Sequence, residues 1–311
     1  MPDAVCSRVY PGCLYVLSAI ADEETGRRLD DMAAATHALH FANALRADSS
    51  IPLLSGNRMP LLGLGTYDLR HHTSESVAQA LAAGYQMIDT SGDYHTQRGI
   101  GDALRHCGLP RESIFVVTKV DATDDAFEAT RVNLAELRLD YADLVLIHRP
   151  PQGGVGEVLW QELRRAKREG LARDIGVSNY SIEQIEELVY RTGELPAVNQ
   201  IEWSPFGHSP RMMDFCFDNH IVIQAWSPLT RAQRLNDDKL TSLAARYGKT
   251  PAQLLIRWNL QLGVVPLPKA NHAQHRQENL EVFDFEIRQM DMVKMRTLNE
   301  HYSSMGALPY V

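Results

Sequence analysis

Residues 87–94 read Met-Ile-Asp-Thr-Ser-Gly-Asp-Tyr (MIDTSGDY), and the rest of the chain is built around what they present. Two apolar residues lead into Asp89, small residues follow, and Tyr94 stands just beyond. This is the pattern of a short buried strand giving way to a turn. It recurs twice downstream, in FVVTK ending at Lys119 and in DLVLIH ending at His148. Each segment places an ionisable side chain where a buried strand becomes a loop. In a barrel of parallel strands those ends meet on one rim, and that rim carries the catalytic groups. Asp89, Tyr94, Lys119 and His148 are therefore expected to form one proton-handling cluster.

Outward from this stretch the pattern is regular. IPLL, the turn Ser55-Gly56-Asn57-Arg58 and MPLL predict a hairpin, and LLGLGT, ending near Thr66, a first barrel strand. Strands are then expected at 87–89, 114–119, 143–148, 174–178, 197–200, 221–226 and 264–267. Helices are expected between them at 74–83, 97–106, 124–138, 155–169, 182–191, 212–219 and 251–262. That is the alternation of an α/β fold, a (β/α)8 TIM barrel with an N-terminal hairpin and extra helices at 239–247 and 289–298. The competing doubly wound dinucleotide fold needs GxGxxG between strand and helix. Gly99-Ile100-Gly101 and Gly154-Val155-Gly156 lack the third glycine and the strand before it. There is no P-loop and no HExxH, no metal site is expected, and the pair His71-His72 reads as exposed. Residues 1–50 read as an N-terminal extension, helical over Asp30–Leu45 or flexible, and 51–311 as a single domain.

The bulk numbers narrow the partners. With 311 residues the chain can bury a large core, and its formal net charge of -8 contains no block of like charges. That argues against nucleic acid or an anionic membrane as partner. Cys6, Cys13, Cys107 and Cys216 lack metal-ligand spacing and suit a reducing cytoplasm. Val9–Ala21 imitates a signal peptide, but Asp3, Pro11 and Gly12 weaken it, so the expectation is a cytoplasmic monomer.

The four rim residues suggest a chemistry. A phenol keeps its proton at neutral pH and can donate it to a developing alkoxide, making Tyr94 a candidate general acid. An ammonium alongside, from Lys119, would ease formation of the phenolate; Asp89 would hold that ammonium, and His148 would polarise a carbonyl. Any one of these residues alone would read as merely solvated.

Several motifs in order strengthen the reading: IDTSGDY, VVTK, LVLIHRP, IGVSNYS, VNQIEW, WSPL and PLPKANHAQHRQENL. From about Ile51 to the C-terminus they make the chain resemble the aldo-keto reductases, in particular bacterial-type members with short loops. The resemblance implies a barrel that binds NADPH (NADH possible) without a Rossmann fold and reduces aldehydes or ketones to alcohols. Asp89, Tyr94, Lys119 and His148 match the catalytic tetrad. Ser178, Asn179 and Gln200 match positions that bind the nicotinamide carboxamide, and Trp226 the ring that stacks on it, although Trp226 alone could be core. Ser227, Pro228 and Leu229 would meet the pyrophosphate, and Lys269 the ribose phosphate. His275 and Asn279 fall at the adenosine end. Departures lie there too: Ala270 replaces a common serine, and His275, followed by Arg276, a common arginine. NADPH is expected to be preferred through Lys269 and Arg276, by a reduced margin. Near the tetrad, Thr96-Gln97 replaces a common Asn-Glu pair.

For the small-molecule carbonyl substrate, Tyr67, Leu69, Arg149 and Trp203 are expected to face the pocket together with His148. Arg149 would attract a carboxylate or stack on a neighbour. Short loops after the fourth and seventh strands predict an open pocket. Two other functions fit a barrel: a nicotinamide-nucleotide-binding regulatory or structural subunit without turnover, and a Schiff-base aldolase using Lys119. Asn179-Tyr180-Ser181 is formally a glycosylation sequon, at odds with a buried cofactor ligand.

Overall fold

The structure, a computed structural model, describes residues 45–69, 72–122, 125–306, 308 and 310. The expected helix over 30–45 and most of the 1–50 extension lie outside the described residues.

Strands β1 (Ser50–Pro52) and β2 (Arg58–Pro60) form the antiparallel hairpin. Eight parallel strands follow in one sheet: β3 (Leu64–Gly65), β4 (Met87–Asp89), β5 (Phe115–Val120), β6 (Ala142–Ile147), β7 (Ala172–Ser178), β8 (Val198–Glu202), β9 (Val222–Trp226) and β10 (Val265–Pro266). Their spatial order is their chain order, so each neighbour is reached through a helical crossover. The sheet closes on itself, because Gly63 N–H donates to Pro266 O and Gly65 N–H to Pro268 O, both at 3.2 Å. Glycine is needed at this seam: a Cβ on Gly65 would stand 2.8 Å from Leu267 O. The result is a TIM-like barrel, as the alternation predicts.

Strands β5 and β6 are buried along their whole length, as parallel strands covered on both faces must be. The barrel interior is filled by Met87, Val117, Leu144, Leu146, Val198, Val265 and Leu267. The hairpin plugs the end where the strands begin, with Met59 in the same cluster. Asp174 at the start of β7 fixes the plug, accepting from Ser55 Oγ at 2.9 Å and Asn57 Nδ2 at 2.7 Å.

The helices start where their caps dictate. Ser181 with Gln184, and Thr250 with Gln253, form reciprocal capping boxes on Ile182–Thr192 and Pro251–Gln261. The extra helices appear at Asp238–Ala245 and Gln289–Arg296. One helix, Ala273–Leu280, escapes the sequence pattern: the residues it buries are Arg276 and Asn279, so it carries no apolar stripe. No helix among the described residues is long and apolar enough to cross a membrane.

Candidate active site

Four side chains converge where β4, β5 and β6 end. Lys119, the penultimate residue of β5, is wholly buried. Its Nζ donates to Asp89 Oδ1 at 2.9 Å, Asp89 Oδ2 at 3.1 Å and Thr90 O at 2.8 Å. Tyr94 closes a 3-10 turn after β4 (Gly92–Tyr94), and its hydroxyl lies 3.5 Å from Lys119 Nζ. The His148 ring stands edge-on to Tyr94 with centroids 5.8 Å apart. Strand pairing explains the convergence. Asp89 is in register with Val117, two residues before Lys119, and the backbone N–H of His148 donates to Val120 O.

The charges follow from burial and pairing. Burial alone would lower the Lys119 ammonium, but Asp89 and Tyr94 outweigh it and raise its pKa above the ordinary lysine value. The group stays charged, which makes it a poor nucleophile and counts against a Schiff-base aldolase. For Tyr94, burial dominates and raises the phenol above its usual 10.0, with Lys119 opposing the rise. The expected easing of ionisation is present as a contribution and loses to desolvation. Burial, then the Lys119 charge, lowers His148 to about 4, so the ring is neutral at neutral pH. Its Nδ1 faces Ser91 Oγ at 3.4 Å and Asp93 Oδ1 at 3.5 Å.

A second layer holds this cluster, and two of its members, Asn133 and Gln224, are not anticipated from the sequence. Gln200 Nε2 donates to Asp89 Oδ2 at 2.8 Å and to Gln224 Oε1 at 2.9 Å. Asn133 Nδ2 donates to Lys119 O at 2.9 Å, and Gln97 links Asn133 to Thr118. Thr96 is buried in a hydroxyl chain with Thr90 and Thr66. The Thr96-Gln97 departure therefore sits behind Lys119 and Asp89. No local pattern marks Asn133 or Gln224: Asn133 reaches the site from the helix that follows β5, and Gln224 from its register position beside Gln200 on β9.

The expected carboxamide residues lie beside the cluster, engaged with one another. Ser178 Oγ donates to Gln200 O at 2.7 Å. Asn179 Nδ2 donates to Ser178 Oγ at 3.0 Å and His148 O at 3.1 Å, and Asn179 Oδ1 accepts from Trp226 Nε1 at 3.0 Å. These bonds occupy the sequon asparagine inside the barrel rim. Trp226 is half-buried at the end of β9, and Ser227, Pro228 and Leu229 follow in a loop where Ser227 has φ 48°.

At the adenosine end one expectation is corrected. Arg276 is buried and turned inward: Nη1 donates to Ala270 O at 2.9 Å and Asn271 O at 3.2 Å, and Nη2 donates to Gln79. Its guanidinium ties the 270–271 turn to the helix Thr73–Ala83 and leaves no fork for a phosphate. His275 is exposed beside His272. Lys269 is half-exposed and lies 3.6 Å from Asp68 Oδ2. Asn279 is buried, with its side chain against the Tyr85 hydroxyl.

Of the substrate-facing expectations, Tyr67 is 53% exposed and packs edge-on to Tyr94 at 5.1 Å. Arg149 is exposed next to His148. Leu69 is buried. Trp203 is a second correction: it has no exposed surface and packs between His208 and Tyr310, because the C-terminal segment covers it.

Known proteins resemble this chain in sequence and in fold. Residues 61–300 match the model of the aldo/keto reductase family. The chain is 37% identical over 257 residues to a glyoxal reductase of Bacillus subtilis, covering 81% of this chain and 93% of that one. It is 36% identical over 255 residues to a methylglyoxal reductase of Yersinia pestis, covering 80% and 92%. The crystal structure of a Bombyx mori aldo-keto reductase in complex with NADP superposes with a TM-score of 0.78 at 30% identity, covering 84% of this chain and 95% of that chain. Barrel, rim cluster and matched sequence agree: this chain belongs to the aldo/keto reductase family.

Proposed function

We propose that this chain reduces aldehydes and ketones to alcohols with NADPH, with Tyr94 as the proton donor. The observation that carries the reading is the buried Lys119 ammonium, fixed by Asp89 and 3.5 Å from the Tyr94 hydroxyl. As negative charge develops on the carbonyl oxygen, the neutral ring of His148 donates an N–H hydrogen bond to it and orients it. Tyr94 breaks its O–H bond and gives the proton to that oxygen. The phenolate left behind is stabilised by Lys119 and regains a proton from water.

A bound dihydronicotinamide supplies the hydride. The residues that fit it are Ser178, Asn179, Gln200 and Trp226 at the rim, Ser227, Pro228 and Leu229 in the next loop, and Lys269 with Asn279 beyond; His275 flanks them. The donor set supports this: the amides of Asn179 and Gln200 lie at the rim with the half-buried indole of Trp226, and amide groups beside a flat apolar ring suit a carboxamide-bearing ring. The NADP-bound relative points the same way. Tyr67 and Arg149 border the substrate, a small carbonyl compound of the class that the glyoxal and methylglyoxal reductases act on. Residues 51–311 act as one catalytic domain, with 1–50 as an extension, and the enzyme works as a cytoplasmic monomer. The free thiols of Cys107 and Cys216 suit that compartment.

The test is NADPH consumption with benzaldehyde. Tyr94→Phe keeps the ring and removes the proton, so kcat is expected to fall roughly 10²- to 10⁴-fold. An unchanged kcat in Tyr94→Phe would remove Tyr94 from the reaction. No consumption by the parent enzyme with any carbonyl would favour the nucleotide-binding barrel without turnover.

A further inference from the structure

Two guanidinium groups beside this site have no ion-pair partner among the described residues. Arg149 follows His148 directly, is exposed, and among the described residues makes no hydrogen bond, ion pair or ring contact. Its positive charge is felt at His148, whose protonation it opposes. Arg231 lies in the loop after β9, with its Cζ 5.6 Å from the centre of the Tyr67 ring. Tyr67 in turn stands 5.1 Å from Tyr94, so Arg231 is one aromatic ring away from the reacting centre. Arg231 likewise has no carboxylate partner among the described residues. Many surface arginines are already paired: Arg105 holds Asp102 at 2.7 Å, and Arg246 holds Asp291 at 3.0 Å.

Resting on the reading of the chain as a carbonyl reductase, we propose that Arg149 and Arg231 select carbonyl substrates that carry an anionic group, a carboxylate or a phosphate, over neutral ones. A guanidinium offers planar paired donors that match either oxyanion, and a free one loses no existing ion pair when it engages. The exposed face of Tyr67 between Arg231 and Tyr94 gives the carbon body of the substrate an apolar surface. Lys119 adds little to the attraction because Asp89 neutralises it. Asp93 and Asp121 near His148 carry opposing charge, so the preference rests on the two forks and not on the net charge of the mouth.

The test uses the full chain with NADPH and two matched pairs: 4-carboxybenzaldehyde against benzaldehyde, and glyceraldehyde 3-phosphate against glyceraldehyde. At low ionic strength kcat/KM is expected to favour the anionic member roughly tenfold or more, mainly through KM. The preference should shrink as salt rises. The carboxylate and phosphate pairs show separately which oxyanion the forks prefer. In Arg149→Met/Arg231→Met the ratio should collapse towards one, while Arg149→Lys/Arg231→Lys should keep part of it. Because the readout is a ratio within one variant, a general loss of activity cancels. A parent ratio at or below one for both pairs overturns the proposal while leaving carbonyl reduction standing. Absence of turnover with all four compounds sinks the underlying reading instead. If Arg231→Met raises the KM for NADPH and leaves the ratios unchanged, Arg231 serves the cofactor and its part in the proposal is overturned.

Discussion

The Lys119 ammonium lies 2.9 and 3.1 Å from the two carboxylate oxygens of Asp89, and solvent reaches almost none of either side chain. Each charge at this depth is tolerable only because of the other. Asp89→Asn would leave the ammonium uncompensated, so it would lose its charge and its hold on the Tyr94 phenolate. The expected result is a kcat roughly 100-fold lower and a stability loss of about 3–5 kcal/mol. Adding Lys119→Met to Asp89→Asn should recover much of the stability and none of the activity. Urea denaturation with steady-state kinetics on the single and double variants checks this; a double variant no more stable than Asp89→Asn would show the pair to be less coupled than its burial implies.

Acid should weaken the fold through two histidines. Burial is the main cause that lowers both His148 and His208 from 6.5 to about 4. Between those values the unfolded chain binds protons that the folded chain refuses. Stability is therefore full above pH 6.5 and lost as pH falls towards 4, by on the order of 3 kcal/mol per ring at most. His208 packs on Trp203 and Trp258, so His208→Gln should flatten part of this slope. Denaturant unfolding at pH 7, 5.5 and 4.5 measures it, and equal slopes in parent and variant would count against the assignment. The acid limb of kcat/KM should likewise lie near pH 4 and not at the ordinary histidine value.

What the sequence could reveal follows from where each signal resides. Asp89, Lys119 and His148 are legible because each ends a buried apolar run, a local feature that parallel-strand geometry turns into a shared rim. Arg276 misleads for a related reason. A cation beside a phosphate-binding position looks available, but its direction is set by Gln79 and by the carbonyls of Ala270 and Asn271, which no local pattern foretells. Trp203 reads as pocket-facing from its place after β8, yet it lies under Tyr310, more than a hundred residues on. The helix Ala273–Leu280 buries polar groups and so breaks the periodicity by which helices are found.

If NADPH is the cofactor, as proposed, the inward turn of Arg276 leaves Lys269 as the main cation for its ribose phosphate, and Asp68 already shares that lysine. Asp68 Oδ2 lies 3.6 Å from Lys269 Nζ, where a phosphate would meet its repulsion. Asp68→Asn should therefore widen the NADPH preference, raising the NADPH-to-NADH ratio of kcat/KM by roughly three- to tenfold, the scale of a partly exposed ion pair. Lys269→Met should bring that ratio close to one. If Asp68→Asn left the ratio unmoved while Lys269→Met abolished it, Asp68 would be shown not to compete.

The C-terminal segment depends on one buried carboxylate. Glu202, the last residue of β8, accepts from Ser303 Oγ and Ser304 N–H, each at 2.7 Å, and from Ser304 Oγ. Tyr310 adds a hydrogen bond from its hydroxyl to the Glu202 carbonyl and lays its ring on Trp203 at 5.7 Å. Glu202→Ala removes a charged acceptor shared by three donors and strands those donors, so the free energy for opening the segment should fall by about 2–4 kcal/mol. Opening would be local, since the barrel strands keep their own hydrogen bonds. Hydrogen exchange at 302–306 should then accelerate by roughly 30- to 700-fold, the same range converted at tenfold per 1.4 kcal/mol. Trp203 fluorescence should shift to the red as water reaches its ring. Glu202→Gln keeps the acceptor oxygen without the charge and should give an intermediate effect. Exchange confined to its original rate in Glu202→Ala would mean that the Tyr310–Trp203 contact alone holds the segment down.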